Sequence, residues 1–96
     1  MSNRLIVTSI KKFGSSLGGE FYLITFKEDV SEKPKSWRTN VYPKHGNAIR
    51  WKEIIARGPG IVVSGLKVWS EKKRIIDADS FPVILGNVEQ KELFDG

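Results

Sequence analysis

Trp69 is followed closely by Lys72, Lys73 and Arg74 in the stretch LKVWSEKKRII, residues 66–76. A flat ring beside cations suits an unpaired nucleic-acid strand, whose bases stack on aromatic planes while its phosphates meet positive charge. Phe21, Trp37 and Tyr42 are the other rings placed near basic residues, and Lys11, Lys12, Lys27, Arg38 and Lys67 are the further cations. These rings are the candidate stackers, and the eight basic residues named so far are the candidate phosphate contacts.

Other chemistries are poorly supplied. The chain has no cysteine and a single histidine, His45 in a PKHGN turn, so disulfides, thiol nucleophiles and thiolate metal sites are excluded. No carboxylate pair or nucleophile–base pair stands out, and an enzyme is not expected. Gly14, Gly18 and Gly19 flank a turn instead of opening a helix, so they form no phosphate-binding loop, and no cofactor is implied. The 96 residues hold 16 basic and 11 acidic side chains, net +5. Residues 1–86 carry 15 and 8 of these, residues 87–96 carry 1 and 3, giving a basic body and an acidic tail. That distribution favours a polyanionic partner. The opening MSNRLIVTSIKKFG lacks a signal peptide's apolar run, and no stretch approaches a membrane span, so a cytoplasmic protein without membrane contact is expected.

The elements that must hold these residues are mostly strands. Alternation and β-branched content predict strands over 4–13, 20–28 and 37–43, separated by SSLGG and by DVSEKPKS. The period then changes: Ala48, Trp51, Ile54 and Ile55 share one face of a helix over 47–57, stopped by Gly58-Pro59. Strands over 60–69 and 75–81 complete a domain of residues 1–86, with 87–96 as a flexible tail. An all-β five-stranded Greek-key barrel with one helix between strands 3 and 4 has this order. GGEFYLITFKED, GPGIVVSGLKV and IIDADSF also resemble the second, fourth and fifth strands of OB-fold single-stranded-DNA-binding domains. The resemblance implies a ligand lying across strands 2 and 3, bounded by the loops after strands 1 and 4, here KKFGSSLGG and SEKKR.

Strand periodicity sorts the side chains further. Tyr22, Ile24 and Phe26 form the inward phase of the second strand, leaving Phe21, Leu23, Thr25 and Lys27 outside. In the third strand Arg38, Asn40 and Tyr42 face outward and Val41 inward; the phase of Trp37 is that of the core, and it is the fourth candidate stacker. For the last hairpin, a Ser70–Arg74 loop sets Leu66 opposite Ala78, Val68 opposite Ile76 and Lys67 opposite Asp77. That register buries apolar against apolar, pairs opposite charges outside and leaves Trp69 exposed, although Asp77 and Asp79 share its face. Trp51 belongs to the core, and Gly65 is a bulge in the fourth strand.

In the tail, Gln90, Leu93 and Phe94 of QKELF resemble the short peptide by which bacterial replication proteins bind the sliding clamp. The function expected is single-stranded DNA binding with little sequence preference, in replication, recombination or repair. The alternatives are an RNA- or tRNA-binding domain, and a protein-interaction module using the tail. One small domain grips few nucleotides, so a homo-oligomer or cooperative array would raise affinity.

Overall fold

Three long strands form where β-branched and aromatic residues alternate with polar ones. In the computed structural model, which describes residues 4–15, 19–30, 32–42 and 47–88, they are β1 (Leu5–Ser15), β2 (Gly19–Glu28) and β3 (Ser36–Val41). Helix α1 (Asn47–Arg57) follows, then β4 (Ile61–Ser64), β5 (Val68–Ser70), β6 (Ile75–Ile76) and β7 (Val83–Asn87). Trp51 and Ile54 bury the apolar stripe of α1, and the Trp51 indole N–H donates to the Ala78 carbonyl at 2.9 Å. The helix stops at Gly58, whose left-handed φ of 81° lets its N–H reach the Ile54 carbonyl. Leu5, Val7, Ile24, Phe26, Val41 and Val63 join the helix residues in one core. Each such side chain contributes roughly 1.5–3 kcal/mol by leaving water.

The strand order is β5-β6-β3-β2-β1-β4-β7, antiparallel except where Arg38 of β3 meets Ile75 of β6 in parallel. Chain connectivity dictates the shape of this sheet. In a flat sheet β4 and β5 would lie five strand spacings, about 24 Å, apart. Yet only residues 65–67 join them, a link that spans at most about 14 Å from Ser64 to Val68. The sheet therefore curls strongly, into a half-barrel with the core inside. Gly65 makes the corner with φ 78°, and a Cβ there would stand 2.9 Å from the Phe81 carbonyl oxygen. Between the neighbouring strands β3 and β6, the buried Thr39 hydroxyl donates to the Ile76 carbonyl at 2.8 Å.

The mostly-β, single-helix, barrel-like reading holds, but with seven strands instead of five. The expected fourth strand is broken at Gly65 into β4 and β5. The expected fifth shortens to β6, because Asp77–Ser80 folds into a turn instead. There Ser80 Oγ donates to the Asp77 carbonyl at 2.6 Å and accepts from the Lys67 N–H at 2.8 Å. β7 was not expected; it pairs with β4 and runs through Asn87, and the Val88 N–H donates to the Gly60 carbonyl. The body thus continues past residue 86, where the sequence pattern had placed its end. Among the described residues no helix is long and apolar enough to cross a membrane.

Candidate functional site

A single extra residue in β1 decides which side chains reach the outer surface. Val7 pairs with Phe26 and Ser9 with Thr25, so Thr8 is a bulge, its hydroxyl donating to the Thr25 carbonyl at 3.1 Å. The bulge inverts the alternation. Leu5 and Val7 point inward before it; Ile10 packs on the core after it. Lys11 and Phe13 are consequently directed outward, beside their register partners Leu23 and Phe21.

Phe13 and Phe21 stack across β1 and β2 with centroids 5.3 Å apart and planes 18° from parallel. Phe21 and Tyr42 continue across β2 and toward β3, again at 5.3 Å, tilted by 31°. The three rings form a ladder, with Phe13 and Tyr42 exposed and Phe21 half-buried between them. The next row on this face is Lys11, Leu23 and Asn40, and the row beyond it Ser9, Thr25 and Arg38. Lys27, opposite Ser36, lies further along.

The basic turn closes the far end of the face. The Arg38 N–H donates to the Arg74 carbonyl at 3.1 Å, and Lys73 and Arg74 line a shallow cleft with Leu23, Thr25 and Arg38. Among the described residues, none of the ion pairs engages Lys11, Lys27, Arg38, Lys73 or Arg74. Their charge is available to a ligand. Family models, curated proteins and solved structures were all compared with the chain, and none matches. What the site can do must come from its own geometry.

Several candidates fall elsewhere. Trp37 is buried at 7 % exposure, its indole N–H donating to Glu28 Oε2 at 3.2 Å, so its ring faces are taken by the core and it is not an open stacking platform. Lys12 pairs with Tyr22, on the phase opposite the ladder, and binds Glu20 at 3.3 Å. Lys67 does not pair with Asp77: the Asp77 carboxylate accepts from the Asp79 N–H within its own turn. The expected register of that hairpin is nonetheless present, with Val68 opposite Ile76 and the Asp77 N–H donating to the Lys67 carbonyl. Val68 is not buried by it, being 46 % exposed. Trp69 is 72 % exposed, in a bulge between the Val68–Ile76 and Ser70–Ile75 pairs, two strands away from β3. It stands at the base of the turn carrying the exposed Lys72, not in the ladder.

Phe13 is the residue missed. The sequence pattern puts it at the start of the loop KKFGSSLGG, whereas β1 continues to Ser15 and β2 begins at Gly19, paired in register. The signal lay in Phe13 and Phe21 being equidistant from the SSLGG turn, which makes them cross-strand partners. His45, Gln90, Leu93 and Phe94 lie outside the described residues.

Proposed function

We propose that the chain binds single-stranded DNA across the outer face of β1, β2 and β3, with little sequence preference, serving DNA replication, recombination or repair in the cytoplasm. The observation that carries this reading is the Phe13–Phe21–Tyr42 ladder sharing a face with five cations that have no ion-pair partner among the described residues. Rings in a row offer successive bases a stacking surface indifferent to base identity, while Lys11, Lys27, Arg38, Lys73 and Arg74 follow the phosphates. Trp69 and Lys72 extend the track past the basic turn.

The fold supports this assignment as an OB-type barrel. Taking β4 and β5 as halves of one broken strand, the neighbours around the curl run β1-β2-β3-β6 and back through that strand to β1, with β7 added outside. α1 then falls between the third and fourth strands of the barrel.

Titration with fluorescent oligo-dT at two salt concentrations tests the proposal. With the five cations each displacing a counterion from a single strand, the log–log salt slope should be roughly −3.5. Parallel titration with oligo-U separates DNA from RNA. Absence of saturable binding to either oligonucleotide at low salt would overturn the reading.

A further inference from the structure

Val68 has the phase of the core, since its register partner Ile76 is buried, yet nearly half its surface is open. Among the described residues, nothing fully covers the inner surface of the curled sheet at this corner. A cleft of about 540 Å³ occupies the gap, with Trp37, Leu66 and Val68 among its lining residues. Lys35, Lys67 and Arg74 also line it, and none of them joins an ion pair among the described residues. Glu28 is committed to the protein: Oε2 accepts from the Trp37 indole and Oε1 from the Lys35 N–H, at 3.2 Å each. That carboxylate thereby fixes both the ring edge and the loop that carries Lys35.

Arg74 and Trp37 line this cleft and the shallow one on the outer face alike. A strand leaving the outer face beside Arg38 thus meets the inner cleft around a single arginine. We propose that the cleft receives the end nucleotide of the bound strand, a site distinct from the aromatic ladder; this rests on the outer-face reading above. The base packs on the open Val68 side chain and on the edges that the buried Trp37 and Leu66 present to the cleft, and its phosphate is held by Lys67 and Arg74. Glu71, also on the lining, accepts from an amino or imino N–H, which every base carries. The volume suits one nucleotide, and the apolar floor with a few convergent polar groups is what such sites require.

The test is a ¹H–¹⁵N NMR titration of the full chain with oligo-dT. The chain has three tryptophans, so three indole N–H signals report separately. The Trp37 indole and the Val68 amide should shift together with the Phe21 and Tyr42 amides, while the Trp51 indole stays in place. Val68→Trp, which fills the cleft, should weaken oligo-dT binding about tenfold, the loss of one well-packed base. Its own fold is checked by the position of the Trp51 indole signal. If the Phe21 and Tyr42 amides shift and the Trp37 indole and Val68 amide do not, the cleft proposal is wrong and the outer-face reading stands. If none of these signals moves, both fail.

Discussion

Arg38 and Arg74 are joined through the main chain, the N–H of one donating to the carbonyl of the other at 3.1 Å. Two guanidinium-bearing residues are thus tied together on β3 and the basic turn, and neither joins an ion pair among the described residues. The tie aligns the basic turn with β3, whose outward side chains include Arg38 and Asn40. Both side chains line the cleft on the outer face, where an anionic ligand would meet two positive charges at once.

Arg74 also adopts φ 56°, a left-handed conformation that costs a non-glycine residue about 1 kcal/mol or more. Arg74→Gly should relieve this, raising unfolding stability by about 0.5–1 kcal/mol after glycine's greater freedom in the unfolded chain is allowed for. The same change should weaken oligo-dT binding and make the salt slope shallower by about 0.7, the share of one phosphate contact. Urea unfolding and salt-dependent titration would read the two effects, which have opposite signs. A variant both less stable and unchanged in binding would contradict the assignment.

Phe21 is the middle rung of the ladder, in contact with both Phe13 and Tyr42. Phe21→Leu keeps most of the apolar surface and removes the ring plane. Phe21 holds Phe13 and Tyr42 in line, so without it oligo-dT affinity should fall by about 1–3 kcal/mol, the range for one stacked base. The structural loss should be limited to the aromatic pair terms, about 0.5–1.5 kcal/mol for each contact. Equal affinity in the variant and the original chain, measured by anisotropy, would remove the aromatic ladder from the reading.

Much of this surface was legible because period-2 alternation in EFYLITFKE and WRTNVY is clean, and it places Phe21, Arg38 and Tyr42 outward with Ile24, Phe26 and Val41 inward. Alternation failed at Thr8, where no glycine or proline marks the bulge, so Lys11 could not be separated from Lys12 by phase. The hairpin register of Val68 with Ile76 followed from pairing apolar with apolar. Its burial did not follow, because whether anything covers Val68 depends on the curl of the whole sheet. β7 was hidden for a related reason: PVILGNV is too short and too neutral to announce a strand until β4 is present to pair with it.

Gly65 carries the corner that curls the sheet. A Cβ at this position would meet the Phe81 carbonyl oxygen at 2.9 Å with φ at 78°. Gly65→Ala should therefore destabilise the chain by about 2–3 kcal/mol, combining backbone strain with displacement of the Phe81 segment. Chemical denaturation measures it. A loss below about 0.5 kcal/mol would mean that β4 and β5 do not need this corner.

Thr39 tests how the barrel-like sheet is held at its weakest seam. β3 and β6 share one register pair, Arg38 with Ile75, supplemented by the Arg38–Arg74 main-chain bond and the Thr39 hydroxyl on the Ile76 carbonyl. Thr39→Val preserves shape and removes the donor from a buried site, which should cost about 1–3 kcal/mol. Because so little else joins the two strands, the effect should concentrate on β5 and β6 instead of spreading over β1 and β2. Hydrogen exchange should then quicken at the Arg38 and Asp77 amides, whose partners are the Arg74 and Lys67 carbonyls, more than at the amides of Ile24 and Phe26. Uniform acceleration over the whole sheet would show that the seam does not open separately. If it does open alone, the basic turn moves with it, and oligo-dT affinity should fall although Thr39 touches no ligand.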